Sequence, residues 1–582
     1  MTDGRCRVLI LGGYGTFGGR LAHLLADEAR LDLIIAGRSR AKAEAFCGAF
    51  EGRARAEPLA LDRDGDLAAA FAAVRAAIVV DASGPFQAYG AEPYRVVDAA
   101  IAAGMDYVDL ADGAAFVAGI GTRDAVARAK SVFVLSGASS FPVLSAAAER
   151  LADGGAVETI TAGVAPSPRA GVGLNVIRAI ADYAGRPIAL RRDGRATTGT
   201  ALVETITRTV APPGHLPLRA RRFSLVEVPD LTELPRLWPQ LNSVWVGAGT
   251  VPAIWQRGLN GLARLVRRGV LPSLAPFAPL FHAVTRRLAW GEHRGGMLVE
   301  ATGRTAEGRP FARSWHLLAE GDAGPFIPSM PAAILISRCL DGRRPEAGAR
   351  PAATALALDD FEARFAAAGL VHGQRDDRAA ATEPSLYRRI LGPAFDRLPP
   401  EIQAMHGAEA RFVARGRAEV ERGRGPLSWI AGALIGFPKA AADVPVEVVF
   451  ERRGGREVWR RSFGGRRFSS IQEEGQGKAR HLLIERFGRA RFDLALVVAD
   501  GRLSLVARRW SVLGVPLPLA LVPAGPAFEA VDDGVFRFHV EIGHRLFGLI
   551  VCYRGWLVPA GEGSPDQSGV PSQGALGVAS RP

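Results

Sequence analysis

Residues 7–18 constrain the fold more than any other segment. Arg7-Val8-Leu9-Ile10-Leu11 is a nearly continuous apolar run, and Gly12-Gly13-Tyr14-Gly15-Thr16-Phe17-Gly18 follows it at once. Such a run reads as a strand of a parallel sheet, because those strands are covered on both faces. Residues 18–31 then read as a helix, with Leu21, Leu24 and Leu25 on one side. The glycines satisfy GxGxxG through Gly13, Gly15 and Gly18, and GxxGxxG through Gly12, Gly15 and Gly18. Glycine there permits a tight turn and close backbone approach to a pyrophosphate. The helix start adds free N–H groups and partial positive charge for that anion.

The pattern repeats. Strand-like runs at 33–36, 58–61, 77–81, 106–109 and 132–135 alternate with helical stretches, among them 94–103 and 125–130. Strand–helix–strand units take right-handed crossovers and build a doubly wound sheet. Residues 1–140 are therefore expected to be an α/β domain with a Rossmann-type parallel sheet.

The end of the second strand bears on the cofactor. Dinucleotide folds that take NAD usually hold an Asp or Glu there for the ribose 2′-hydroxyl. This chain has Gly37-Arg38-Ser39, with Arg38 twenty residues after Gly18. A carboxylate would repel a 2′-phosphate, whereas a guanidinium pairs with one and can stack on adenine. Arg38, with one further hydrogen bond from Ser39, therefore points to NADP(H). Asp62, after the third strand, could contact the adenine amine or cap a helix. Ala82, Ser83, Gly84 and Pro85, after the fourth strand, would border the nicotinamide ribose.

The rest of the chain has another character. Residues 141–369 open with a helix at 142–152 and continue as an α+β domain for substrate and dimerisation, whose end could pack back on the first domain. Strand-like runs lie at 159–164 and 222–228, and paired antiparallel strands at 297–303 and 313–319. Between them, residues 255–290 mix apolar positions with arginines. That stretch reads as two helices with a wet arginine face, or as a basic amphipathic surface touching an anionic membrane. Residues 370–384 read as a linker. Residues 385–560 begin with a helix at 386–405 and then carry strand runs at 447–451, 456–463, 492–498, 503–510 and 536–542. Turns such as Asp500-Gly501 and Asp533-Gly534 separate them. A mainly antiparallel β domain, barrel or sandwich, is expected. The tail, 561–582, is Gly-, Ser-, Pro- and Gln-rich and is expected to be disordered.

Composition narrows the function. The 582 residues hold 72 basic and 59 acidic side chains, a net charge of +13. Only Lys42, Lys130, Lys439 and Lys478 are lysines, and the arginines are spread along the chain, so no nucleic-acid partner is expected. Cys6, Cys47, Cys339 and Cys552 are scattered without a CxxC pair and suggest a reducing, cytoplasmic setting. No signal peptide and no run long enough to span a bilayer is read. No metal site is expected: His539 and His544 lie five apart, on opposite faces of a strand.

Taken together, the Gly12–Gly18 turn, Gly37-Arg38-Ser39, Asp62, Ala82-Ser83-Gly84-Pro85-Phe86 with Tyr89-Gly90, and Tyr107-Val108-Asp109-Leu110 resemble the saccharopine dehydrogenase family's NADP-binding domain. The likeness covers about 140 residues and continues more loosely to about residue 365, through Gly324-Pro325-Phe326-Ile327-Pro328. It implies an NADP-dependent oxidoreductase. The family ranges from saccharopine reductases to enoyl reductases acting on lipid-like polyketides. Where it has Gly-Glu after the Tyr-Val-Asp-Leu run, this chain has Ala111-Asp112-Gly113, a departure that argues against carrying over an amino-acid substrate. The third part resembles a domain of unassigned activity often fused behind such domains, through Leu386-Tyr387-Arg388-Arg389, Trp459-Arg460-Arg461-Ser462-Phe463 and Tyr553-Arg554-Gly555.

Tyr89 is the one candidate proton donor, in the loop expected nearest the nicotinamide. Asp109 and Asp112 are read as satisfying loop amides, and His316 as structural. Phe281, Trp290, Phe326 and Ile327 favour an apolar or lipid-like small-molecule substrate, with the middle domain also offering a homodimer surface. Two other readings stand beside the oxidoreductase. One is a non-catalytic NADP-binding sensor or scaffold. The other is a lipid-binding protein acting through the C-terminal β domain, which an apolar cavity there would support.

Overall fold

The computed structural model describes residues 5–287, 289–377, 384–407, 410–546 and 548–560. Two units are distinguished: Met1–Pro213 with Pro217–Ala379, and Gly214–Leu216 with Ala380–Pro582.

The first unit begins with β1 (Cys6–Leu11), α1 (Thr16–Leu24), β2 (Leu31–Gly37), α2 (Arg40–Gly48), β3 (Arg55–Ala60), α3 (Leu67–Val74) and β4 (Ile78–Asp81). It continues through α4 (Arg95–Ala102), β5 (Asp106–Asp109), α5 (Ala114–Gly119), α6 (Asp124–Ala129), β6 (Phe133–Ser136) and α7 (Ser140–Ala152). Val8, Leu9, Ile35, Val79, Val80 and Val108 are wholly buried, as strands covered on both faces must be. Strand order reverses at β1, which lies between β2 and β4. Register sets Leu11 beside both Ala36 and Asp81, and Asp81 beside Asp109, so the carboxyl ends of these four strands are level. Ligands of open parallel sheets sit at such a reversal.

Next come β7 (Ala156–Ala165), α8 (Leu174–Tyr183), a hairpin of β8 (Pro187–Arg192) and β9 (Arg195–Thr200), β10 (Thr205–Arg208), β11 (Arg221–Leu225), α9 (Asp230–Leu237) and β12 (Ser243–Ala248). Then follow α10 (Ala253–Arg267), α11 (Ala278–Arg287), β13 (Arg294–Arg304), β14 (Pro310–Glu320), α12 (Met330–Leu340), β15 (Gly348–Pro351), α13 (Glu362–Ala367) and β16 (Val371–Asp376). Among the described residues they form a mixed sheet ordered β10-β11-β12-β7-β13-β14-β16. The buried helix α7 packs against β7 and β13, and one hydrophobic cluster spans both sheets.

One feature adds a strand to the sequence reading, and a second departs from it. The parallel sheet has a seventh strand, β15, which returns from far along the chain to pair with β6. Gly-Ala-Arg-Pro has no strand signature; its place is fixed by the Ala349 amide, which donates to Asp124 at 2.9 Å. Residues 371–376, inside the expected 370–384 linker, are the edge strand β16 along β14. They are mostly polar, so no apolar alternation marks them; edge pairing and the Arg375 bond to the Ala211 carbonyl (2.8 Å) hold them. Residues 378–383 and the tail 561–582 lie outside the described residues. The arginine-studded stretch is two helices, α10 and α11, whose Leu259, Leu262, Val266 and Phe281 join α8 in a small apolar cluster, while Arg257, Arg264 and Arg267 are exposed.

In the second unit the expected 386–405 helix is broken in two, α14 (Leu386–Leu391) and α15 (Pro400–Gly407). Gly392 at φ 56°, Pro393 and the Pro399-Pro400 pair interrupt it. The strands are β17 (Arg411–Arg422), then after helix α16 (Pro426–Ile435), β18 (Ala441–Arg453), β19 (Arg456–Phe463), β20 (Arg466–Glu474), β21 (Leu483–Phe487) and β22 (Ala490–Ala499). They continue as β23 (Arg502–Val512), β24 (Val515–Pro516), β25 (Ala527–Asp532), β26 (Val535–His544) and β27 (Gly548–Pro559). Each pairs antiparallel with the next, β23 with β25 across the short β24, and β27 returns to β17. The result is a closed ten-stranded up-and-down barrel; closure leaves the ring no edge. Among the described residues, no helix is long and apolar enough to cross a membrane.

Candidate functional site

The chain leaves β1 and turns at Gly12, whose φ of 74° suits glycine. A Cβ there would lie 2.7 Å from the Ala82 carbonyl oxygen, so the loop after β4 seals one side of the turn. At Gly18 a Cβ would run into the Gly12 carbonyl, which is why α1 can start so close to the strand. The Gly12 and Gly13 amides donate to the Ala36 carbonyl at 2.8 and 3.1 Å. Tyr14 reaches across, and its hydroxyl accepts the Ser39 amide at 3.0 Å. Gly15 is the N-cap of α1 and no side chain caps the helix, so its first turn, Thr16-Phe17-Gly18, is left for an anion.

Arg38 stands exposed just past β2, with no ion pair among the described residues. Ser39 caps α2 by accepting the Lys42 amide at 3.4 Å, which leaves its hydroxyl hydrogen free to donate. Asp62 is exposed and accepts the Asp64 amide at 3.2 Å; the cap of α3 is Asp66 instead, bonded to the Ala69 amide at 3.0 Å. The glycine turn, Arg38, Ser39 and the Ala82-Ser83-Gly84-Pro85 loop thus gather at one edge of the sheet. The Gly84–Pro85 peptide is cis.

Tyr89 has a different setting from the one expected of a proton donor. Its hydroxyl donates to the buried Asp81 at 3.1 Å and lies 2.9 Å from Ser83 Oγ. Arg63 covers its ring at 3.3 Å. Burial and the Asp81 charge push its phenol well above the usual range. Burial likewise raises the Asp81 carboxyl, partly offset by hydrogen bonds from Ser83 and Tyr89. In this arrangement the hydroxyl is committed to Asp81. Asp109 accepts the Ala111 and Gly137 amides at 3.0 and 2.7 Å. Burial pushes its carboxyl up to about 7 despite those bonds. Asp112 accepts from the Gln87 amide nitrogen at 3.0 Å.

Contacts that sequence reasoning missed come from the middle domain. Arg20 of α1 donates to the Ala170 carbonyl at 3.1 Å, and Ser329 donates to the Phe17 carbonyl at 3.0 Å. Gly173 lies beside Thr16, where a Cβ would be 3.3 Å from its hydroxyl. Residues 170–173 and 329 thereby wall the start of α1; the Gly324–Pro328 likeness was the one signal of this. A cleft of about 270 Å³ lies beside α5, lined by Ala114, Tyr183, Ile188, Glu227 and Val228. Burial, with the Asp112 and Glu227 charges, raises the Tyr183 phenol.

Other expected residues are not brought together. Ile327 is in the core, Phe326 packs on it, Phe281 belongs to the helix cluster and Trp290 is exposed. His316 is buried in β14, 3.0 Å from Ser314 Oγ. His539 and Glu541 of β26 and Cys552 of β27 bring ligand atoms within 4.8 Å of one another. Cross-strand pairing of Glu541 with Cys552 makes this group, which spacing along one strand does not show. The Cys552 thiol is held at about 11 by burial and the neighbouring Glu421 and Glu541.

Residues 8–134 match the family model "Saccharopine dehydrogenase NADP binding domain", and residues 398–557 match a domain of unknown function, DUF4166. A search of curated proteins finds no match. Among solved structures, apo saccharopine dehydrogenase (L-Glu forming) from Saccharomyces cerevisiae aligns at 13% identity and a TM-score of 0.44, over 64% of this chain and 100% of that one. The WlbA (WbpB) dehydrogenase from Thermus thermophilus, in complex with NAD and alpha-ketoglutarate, aligns at 11% identity and 0.26, over 61% and 91%.

Proposed function

We propose, for a chain that carries a saccharopine dehydrogenase NADP-binding domain in front and a DUF4166 domain behind, that it is an NADP(H)-dependent oxidoreductase acting on an apolar, lipid-like substrate. The observation that carries the reading is the end of β2. Arg38 stands there exposed, with no ion pair among the described residues, beside Ser39, where an NAD site would hold a carboxylate. Bound NADP would supply or accept the hydride. Gly12, Gly13, Gly15 and the first turn of α1 would hold its pyrophosphate, Arg38 and Ser39 its 2′-phosphate, and Ala82 to Pro85 would border the nicotinamide ribose. Asp62 would face the adenine amine. The 270 Å³ cleft is near the lower limit of small-molecule sites, roughly 300 Å³. It would take the reactive end of a larger substrate.

A second reading, a non-catalytic NADP sensor, is favoured by Tyr89, whose hydroxyl is committed to Asp81. Both readings require NADP, so the first test is binding. Titration with NADPH and NADH, followed by energy transfer from tryptophan, should show a clear NADPH preference. Arg38→Ala should weaken NADPH by about 10–100-fold, the worth of charge-assisted hydrogen bonds of roughly 1.5–3 kcal/mol, and leave NADH unchanged. Equal or tighter NADH binding by the unmodified protein would overturn the assignment. Turnover of NADPH with ketones, imines or enoyl lipids then separates enzyme from sensor.

A further inference from the structure

The barrel of the second unit encloses a cavity of about 690 Å³. Small-molecule sites span roughly 300–1,000 Å³. The wall is largely apolar, with rings from Phe450, Trp459, Phe463, Phe492, Phe538 and Tyr553. Left dry and empty, so large an apolar space forgoes dispersion contacts over its whole lining.

Three residues of this lining each carry a buried polar atom with no hydrogen-bond partner among the described residues: the Tyr387 hydroxyl, His406 Nδ1 and Gln472 Oε1. Their residues are 0%, 3% and 1% exposed. His406 stacks on Tyr387 at 3.8 Å, and its other ring nitrogen is 2.6 Å from Glu529. Buried polar atoms are normally hydrogen-bonded. Three unpaired ones on a single cavity call for a ligand that carries a hydroxyl or carbonyl. The one guanidinium of the lining, Arg461, is already paired, with Glu485 at 3.2 Å and with Ser470 at 2.9 Å. Glu529 and Glu485 also line the space. A carboxylate head would meet acids with no free cation among the described lining residues; a neutral head meets no such penalty.

The mouth supplies the second observation. In an up-and-down barrel the connections alternate between ends. One end gathers residues 423–440, 464–465, 488–489, 513–526 and 545–546. These contain no Asp or Glu, and they include Arg424, Lys439, Arg489 and Arg545. The connections of the opposite end carry Asp500 and Asp533 beside Lys478 and Arg480. Helix α16 turns Ala431 and Ile435 to the cavity, yet Trp429 and Ile430 on it are exposed. The 513–526 connection does the same, with Leu519 lining the cavity and Leu513 66% exposed. A helix apolar on both sides is built for a surface other than water, and an acid-free cationic rim matches anionic headgroups.

We propose that this end of the barrel docks on an anionic lipid bilayer. From it the cavity takes one neutral long-chain amphiphile, its polar head on Tyr387, His406 and Gln472. This does not depend on the nucleotide assignment.

The test uses the full chain and Nile red as a neutral apolar probe. The probe should bind and be displaced by hexadecanol at about tenfold lower concentration than by palmitate, a difference expected from one unpaired charge. Filling the cavity by Ala507→Trp, or independently by Leu505→Trp, should abolish probe binding with an unchanged circular dichroism spectrum. Probe binding that survives in both folded variants would overturn the cavity site, and palmitate competing as well as hexadecanol would overturn the neutral head. In co-sedimentation, phosphatidylserine-containing vesicles should retain the protein and pure phosphatidylcholine vesicles should not. Raising salt from about 0.1 to 0.5 M should release it. Trp429→Glu with Leu513→Glu should cut the bound fraction about tenfold. No retention, or retention indifferent to lipid charge, would overturn the docking.

Discussion

The parallel sheet and the barrel place their candidate ligands in opposite positions relative to the core. In the first unit the strands are packed solid, with Val8, Leu9, Val79 and Val108 at zero exposure, and the groups proposed to face the nucleotide lie beyond the strand ends. Binding there rests on backbone shape: glycines that let two loops touch, and a helix start without a side-chain cap. In the barrel the strands themselves are the wall, and the site is what their inward side chains leave unfilled. One site is held by a few positions that tolerate no Cβ, the other by dozens that tolerate most apolar choices.

The contrast is broken most sharply at Gly12. Valine there would demand a β-branched residue at φ 74° and drive its Cβ toward the Ala82 carbonyl. NADPH binding should fall by at least about 100-fold, close to 3 kcal/mol by the usual conversion. Nile red binding in the barrel should be unaffected. Loss of both would show that the sites are not the separate devices described above.

The same contrast explains what could be read in advance. The glycine turn, Arg38 and the six first strands are legible because parallel strands are continuously apolar and the turn needs glycine at fixed spacing. The walls around Thr16 and Phe17 were not, since Ala170, Gly173 and Ser329 act through backbone groups or one hydroxyl. Likewise β15 and β16 are held by edge pairing, which leaves no composition signal. The β character of the third part was readable from alternation and Asp-Gly turns. Closure was not, because the β17–β27 pairing joins residues at opposite ends of the domain. Nor was the cavity: inward Phe and Val look the same in sequence whether they meet across the axis or line a space.

Buried carboxyls sharpen the comparison through pH. Asp109, at about 7 in the fold against 3.8 when solvated, keeps its proton after the unfolded chain has lost it. The native state therefore binds more protons between about pH 4 and pH 7, and stability falls as pH rises through that window. At roughly 1.4 kcal/mol per unit the upper limit is about 4 kcal/mol. Asp109→Asn keeps an acceptor for the Ala111 and Gly137 amides and should flatten its share of the slope. Urea unfolding of the full chain across pH 5 to 7.5 would measure it, and an unchanged slope in the variant would remove Asp109 as its source. Asp230, equally buried and also raised to about 7, supplies part of the remaining slope.

The smallest expected effect tests whether the barrel's polar atoms face a ligand or merely a void. Tyr387 stacks on His406 through its ring, so Tyr387→Phe keeps the packing and deletes only a buried, unpartnered hydroxyl. Without a ligand that hydroxyl is an unmet desolvation cost, and its removal should be neutral or stabilising by up to about 1 kcal/mol. With hexadecanol present, the lost hydrogen bond should weaken binding by about fivefold, the worth of one net bond of roughly 1 kcal/mol. Nile red should bind as before. The variant thus moves stability and alcohol affinity in opposite directions if the wall is a binding surface. If both fall together, Tyr387 serves the packing of α14 on α15 and the head contacts must lie with His406 and Gln472 alone.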